Sequence, residues 1–334
     1  MIVLDADVLG RNRTGEETYV LNLLRTLPAA APDLQFAAVT RHPELVPDGV
    51  EAIELPARSQ ELRMAWSLPR LLRRLKPELG HFQHALPLGY RGRSVVTLHD
   101  LHFEHDPAVM SLADRITFKA VVPYAARQAS HVLAVSERTK RDAIGLYGIA
   151  PEKITVTPHG VDPAFAPGPG GGDGGYLLFV GAVQARKDPL AALAAARAVG
   201  LPLVVAGPEK EPELAGKLRA AGADVRGFVA PAELAELYRA AAALVLPSRF
   251  EGFGIPVLEA MASGTPVVLA PEPALREVAG DAGVYAENGD YAGAVRRALD
   301  EREALSAAGI ERSKRFSWEE TARRTVEAYR KVLA

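Results

Sequence analysis

The stretch SRFEGFGIPVLEAMASGTPVV, Ser248 to Val268, carries two carboxylates, Glu251 and Glu259, with seven residues between them. Gly252 and Gly254 flank Phe253 and let the backbone turn sharply and come close to a ligand. Pro256 suits the first turn of a helix and Gly264 its end. The amides around Ile255, Val257 and Leu258 then fall at a helix N-terminus, where a phosphate is favoured. Glu251, in the loop, can accept hydrogen bonds from sugar hydroxyls. Glu259, a turn into the helix, can take the two hydroxyls of a ribose, as acidic residues do in dinucleotide folds. Arg186 and Lys187, in FVGAVQARKDP, follow an apolar run that ends at Gly181. Cations there can offset the charge that grows on a diphosphate leaving group.

Such groups need strand ends to hold them. MIVLDADVL is predicted as a first strand, and Glu17 to Leu27 carries apolar residues at helical spacing. QFAAVT, SVVTLHD, SHVLAVS and KITVTPHG are further short apolar runs, and such alternation argues for parallel strands with crossover helices. PAFAPGPGGGDGGY, Pro163 to Tyr176, reads as a linker. The pattern then restarts with YLLFVGA, PLVVAGP, DVRGFV, AALVLPS, TPVVLA and GVYAE. FSWEETARRTVEAYRKVL closes the chain as an amphipathic helix, with Ser317 as N-cap and Glu320 at capping-box spacing. The expected organisation is an α/β chain of two doubly wound domains, residues 1–162 and 176–316, joined by a linker at 163–175, with a helix at 317–334 that returns to the first domain. Open parallel sheets bind ligands at the carboxyl ends of their strands.

SRFEGFGIPVLEAMASGTPVV resembles the E-x7-E signature of retaining glycosyltransferases of the GT-B fold, family 4 in particular. Other segments resemble the family in the same order. FVGAVQARKDP matches its basic element, at Arg186 and Lys187. VTPHGVDPAF matches the segment that ends its first domain, with His159 where asparagine is common. VTLHDLHFEHDP matches its His-Asp strand end, at His99 and Asp100, and LAVSERTKRD its Val-Ser-x-x-Thr-Lys element, at Ser136 and Lys140. LGRNRTGEETYVLNLLR resembles its first glycine loop, commonly Thr-Gly-Ile-Gly-Arg-Tyr; here Glu16 and Glu17 follow Gly15, so the second glycine is absent. The closing helix also matches.

The resemblance implies two Rossmann-like domains facing across a cleft, and transfer of a glycosyl group from a nucleoside diphosphate sugar to a hydroxyl of a glycan or lipid-linked acceptor. Arg186 and Lys187 would neutralise the diphosphate, Glu251 would hold sugar hydroxyls, Glu259 the ribose, and His99 the transferred sugar. Gly15 and Ser136 would lie on the donor side, Asp100 and His102 toward the acceptor. The leaving phosphate itself would help deprotonate the acceptor. The N-terminal and His-Asp elements lean toward mannosyl- or rhamnosyltransferase-like members. No cofactor and no metal are expected.

Other signals compete. Asp5-Ala6-Asp7 spells the metal-holding DxD of a different glycosyltransferase fold, and reads here as a structural strand end. His99, His102 and His105, with Glu104 and Asp106, could hold zinc, which makes a metal-dependent hydrolase built on residues 99–106 the alternative. A nucleotide-binding module without catalysis is a third reading. The glycines at 168–175 follow no strand and read as linker. Arg63, Arg70, Arg73, Arg74 and Lys76 near Met64, Trp66 and Leu71 make residues 58–77 either a solvated helix face or a peripheral membrane contact. The 334 residues suit two domains, and a net charge of -2 points away from nucleic acid. No cysteine is present, so thiolate chemistry is excluded. The start lacks a basic n-region, and no apolar run reaches membrane-spanning length. A cytoplasmic protein is expected, and on the second reading of residues 58–77 it would also touch the inner membrane face.

Overall fold

The computed structural model describes residues 1–11, 14–57, 59–105, 112–168 and 175–334. Contacts divide it into two units, Met1–Gly160 with Trp318–Ala334, and Val161–Ser317.

Among the described residues, the first unit has seven strands: β1 (Ile2–Asp5), β2 (Phe36–Thr40), β3 (Glu51–Glu54), β4 (Leu79–Gln83), β5 (Ser94–Leu98), β6 (His131–Ala134) and β7 (Ile154–Val156). They lie in the order β3-β2-β1-β4-β5-β6-β7, every pair parallel. Strand side chains alternate between faces. Ile2 and Leu4 therefore enter one core with Tyr19, Leu23 and Leu27 of the helix Thr14–Ala30. Val3 enters the other with Phe82, Val96 and Ala126. The helix Trp318–Leu333 supplies Trp318, Ala322, Val326 and Tyr329 to the first of these cores. The Tyr329 hydroxyl lies 2.6 Å from His81 Nδ1, and Thr321 donates to the Pro158 carbonyl at 2.5 Å. Glu320 binds Arg323 and Arg324.

In the second unit, the described residues form β8 (Leu177–Val180), β9 (Leu203–Ala206), β10 (Asp224–Gly227), β11 (Ala243–Leu246), β12 (Val267–Leu269) and β13 (Gly283–Tyr285). The order is β10-β9-β8-β11-β12-β13, again wholly parallel. The central strands are buried on both faces, and read accordingly as unbroken apolar runs. Each unit is thus a doubly wound α/β sheet, as the alternation of runs predicts.

Some elements differ from the sequence reading. The first helix starts at Thr14, three residues before the expected Glu17. The strands β3 and β4 were not foreseen. EAIE is charged and largely exposed at a sheet edge. LGHFQ has no β-branched residue and follows closely on the basic segment 58–77. The helix Leu68–Leu75 in that segment stops at Lys76, held at φ 49°, just before β4.

Arg63, counted above with the basic surface cluster, is fully buried. It pairs with Asp5 at 2.7 Å and Asp7 at 3.3 Å, and donates to the Val39 carbonyl at 3.2 Å. Arg41 binds Asp7 in a fork at 2.8 and 2.9 Å, and Arg11 also pairs with it. Asp5-Ala6-Asp7 is structural, as expected. Its principal partners are the guanidinium groups of Arg11, Arg41 and Arg63.

Candidate active site

In each sheet the strand order reverses once, between β1 and β4 and between β8 and β11. Open sheets bind ligands outside the carboxyl ends of the strands at such a switch point.

After β8 the chain passes Gly181, held at φ 150°, and makes a short turn over Ala185–Lys187. A side chain at the neighbouring Gly207 would meet the Gly181 carbonyl at 2.1 Å, so these two strand ends touch backbone to backbone. After β11 comes the loop that holds Glu251. The two loops are tied together: Arg186 donates to the Phe250 carbonyl at 2.7 Å, the Arg249 amide to the Arg186 carbonyl at 3.0 Å, and Lys187 Nζ pairs with Glu251. Burial alone would raise the Glu251 carboxyl, but the charges of Lys187 and Arg186 outweigh it and hold it below its ordinary value. The structure thus brings the neighbours Arg186 and Lys187 onto Phe250 and Glu251, each 64 residues further along the chain.

Gly254, at φ 107°, caps the helix Ile255–Ala262, and a side chain there would meet Leu275 at 2.8 Å. The anion-binding reading of this helix start narrows. Val257 and Leu258 are buried and their amides return to the Gly254 carbonyl at 3.0 and 3.4 Å, and Pro256 has no N–H. Of these four residues, only Ile255 has an amide without a helical acceptor. Gly252 and Phe253 are buried, and the Phe253 ring packs edge-on against Phe316 at 5.8 Å. Glu259 is buried too, and the Tyr238 hydroxyl donates to its Oε2 at 2.9 Å. Burial lifts its carboxyl to about 8 against that hydrogen bond. Glu259 is therefore a neutral acid at pH 7, and the sequence did not point to Tyr238 as its partner.

In the first unit, His99 follows β5 and bonds Gln83 Oε1 at 2.9 Å. Tyr19 meets it edge-on at 4.9 Å and His159 stacks at 6.1 Å. Burial lowers its imidazole to about 4, so it is neutral at pH 7. Asp100 lies beside it and bonds His102 Nδ1 at 2.6 Å. His105 turns away to Asp142 at 2.9 Å, and Glu104 accepts from Tyr147 at 3.1 Å. The histidine run therefore does not converge. Among the described residues, no three His, Cys, Asp or Glu groups are placed to hold a metal; Asp106 lies outside them. Ser136, read as a donor contact, is fully buried and caps the helix Glu137–Tyr147 by accepting from the Thr139 amide at 3.0 Å. Gly15 sits in the first turn of its helix with open space where a side chain would be.

Residues 174–301 match the family described as glycosyl transferases group 1, and residues 13–165 that described as Glycosyltransferase Family 4. A D-inositol 3-phosphate glycosyltransferase from Kineococcus radiotolerans is 35% identical over 251 residues, 61% of this chain and 58% of that protein. The O-antigen chain mannosyltransferase B of Escherichia coli is 29% identical over 71% of this chain and 70% of that one. The chain spans just over half the length of the inositol-phosphate glycosyltransferases it matches. Sucrose-phosphate synthase from Thermosynechococcus elongatus shares the fold with a TM-score of 0.78, at 20% identity over 99% of this chain and 98% of that one. The two family matches lie head to tail and take in both sheets: the chain belongs to family 4 of the group 1 glycosyltransferases, with the GT-B fold.

Proposed function

We propose that the chain moves a glycosyl group from a nucleoside diphosphate sugar to a hydroxyl acceptor, with retention at the anomeric carbon. The observation that carries this is the Arg186–Lys187–Glu251 cluster at the β8/β11 switch point. A buried lysine already paired with a carboxylate can shift to an arriving diphosphate, and the carboxylate it leaves can accept sugar hydroxyls. As the bond from the anomeric carbon to the phosphate oxygen breaks, Arg186 and Lys187 offset the charge on that oxygen in a site poor in water. The acceptor oxygen bonds to the same face, and its proton passes to the departing phosphate. Glu259, kept neutral, can donate to one ribose hydroxyl and accept from the other. His99, also neutral, faces the transferred sugar.

With two cations at the diphosphate, no divalent ion is required there. The family's inositol-phosphate and mannosyl relatives favour a polyol or glycan acceptor and a mannosyl-like donor. No helix among the described residues is long and apolar enough to cross a membrane. Exposed Leu62 and Trp66, beside exposed Arg70, Arg73, Arg74 and Lys76, support peripheral contact of residues 59–76 with an anionic surface.

Melting the protein against a panel of nucleotide sugars tests the donor, because a ligand that binds the native state raises its melting temperature. One or a few donors should stabilise it and turn over to a product of unchanged anomeric configuration, read by NMR. A panel with neither stabilisation nor turnover would sink the activity, and an inverted product would sink retention alone.

A further inference from the structure

The first unit's switch point carries an ion pair that no family motif foretells. Glu16, in the first turn of the helix after β1, reaches His84, the residue after β4, with Oε1 3.3 Å from Nε2. His84 sits at φ 56°, a left-handed conformation that costs any residue bearing a side chain. Its ring lies 5.2 Å from that of His99. Glu17, which stands in place of the family's second glycine, accepts from the Gly10 amide at 2.7 Å. One glutamate closes the loop after β1 while the other crosses to β4.

Each partner favours the charged form of the other. Burial would raise the Glu16 carboxyl, yet the His84 hydrogen bond and charge hold it at about 2. Burial would lower the His84 imidazole, yet Glu16 and Asp100 raise it. Glu16 is the more open partner, its side chain 32% exposed against 14% for His84. Two buried nitrogens of the same strand end, His84 Nδ1 and Gln83 Nε2, have no hydrogen-bond partner among the described residues. An accepting carboxylate beside unspent N–H donors suits groups that both donate and accept, as hydroxyls do. A phosphate only accepts, and would meet the Glu16 and Asp100 charges.

We propose that the Glu16–His84 pair is the hydroxyl-reading site of the first unit, selecting a neutral polyol or sugar over a phosphorylated one. This deepens the glycosyltransferase reading by naming the acceptor class, and rests on it only for the word acceptor. Glu16 would take a ligand hydroxyl on its open oxygen while His84 fixes the carboxylate from behind.

The test reads binding directly, by ligand-observed NMR on the whole chain without donor, using methyl α-mannoside and mannose 6-phosphate as probes. The wild type should hold the neutral sugar more tightly. Glu16→Gln should weaken the neutral sugar about tenfold, the loss of one charge-assisted hydrogen bond, and should narrow or reverse the preference over the phosphate. His84→Asn, in which asparagine tolerates the left-handed backbone, should weaken the neutral sugar while thermal melts show both variants folded. Tighter binding of the phosphate by the wild type, no binding of the neutral probe, or an unchanged preference in Glu16→Gln would each overturn the proposal. A failure of every donor to turn over would remove the catalytic reading and leave this measurement standing.

Discussion

The two switch points carry the same device with opposite polarity. In the second unit the cation follows the first switch strand and the carboxylate the second, as Lys187 and Glu251. In the first unit the carboxylate follows the first strand and the cation the second, as Glu16 and His84. The second pair is the more buried, with side chains 11% and 9% exposed against 14% and 32%. It is backed by Arg186, while the first is backed by Asp100. On the readings proposed above, the twin folds take opposite ligands, one a diphosphate and the other hydroxyls. The sheet would then fix where a ligand goes, and the sign of the charge at the two loop starts would decide what it is.

The sharpest way to break this comparison is Lys187→Ala. Removing a donor aimed at developing charge costs turnover on the order of 100- to 1,000-fold, and leaves Glu251 buried without its main counter-charge, so the melting temperature should fall as well. Adding Glu251→Gln should recover much of the stability and none of the turnover. Recovery of both, measured by melting and by transfer rate, would reduce the pair to a structural staple.

Glu259 tests the next level. Glu259→Ala should weaken nucleoside diphosphate binding by about 1.5–3 kcal/mol in calorimetry at pH 7, whereas Glu259→Gln should bind nearly as well, because the native carboxyl is neutral there. A Gln variant as weak as the Ala variant would mean that the bound state needs the charge. The same group sets a stability slope. Its folded value of about 8 lies above the ordinary 4.5, so the native state holds the proton more tightly. Its contribution is full below about pH 4.5 and is lost as pH rises to about 8. Melts of wild type and Glu259→Gln should therefore diverge toward pH 8.

How much of this was legible before the fold was known depends on the residue. Runs such as AALVLPS and YLLFVGA announce buried parallel strands because both faces are apolar, and the loops after them hold Arg186, Lys187 and Glu251. The topology that puts those loops side by side cannot be read from either stretch alone, although the family resemblance links them. Glu16 and His84 were out of reach for a different reason. LGHFQ lacks the composition of a strand, so nothing marked His84 as a strand end, and Glu16 drew notice only as the neighbour of Glu17, where the second glycine is missing. Tyr238 is spaced like any core residue of its helix. Its hydroxyl matters only because Glu259 is buried beneath it.

A smaller effect separates the pairs by titration. Lysine keeps its charge across ordinary pH, but histidine does not. The His84 value is raised and the Glu16 value lowered. The stabilisation from this pair is thus full between about pH 4.5 and 6.5. It fades as pH climbs through the raised histidine value or drops toward the depressed carboxylate value. The melting difference between wild type and His84→Asn should be a few degrees at most and largest in that window. A pH-independent difference would show that the backbone strain, not the charge, is being read.

The least effect is expected at the histidine run. His105→Ala removes an exposed contact to Asp142, and should change turnover by less than about twofold, on the scale of exposed ion pairs. Chelator should leave activity unchanged. Chelator-sensitive turnover with stoichiometric metal in the purified protein would reverse the role given to Arg186 and Lys187.

The helix Trp318–Leu333 also bears on how the protein is made. His81 and Tyr329, which meet in the first unit's core, are 248 residues apart in the chain, and Asp33 and Arg330 are 297 apart. The second unit, Val161–Ser317, is continuous. As the nascent chain emerges, the second unit can finish folding first, while the earlier-made sheet waits with the apolar surface of Tyr19 and Leu23 uncovered. The first sheet, though made earlier, cannot complete its core until the last helix has been made.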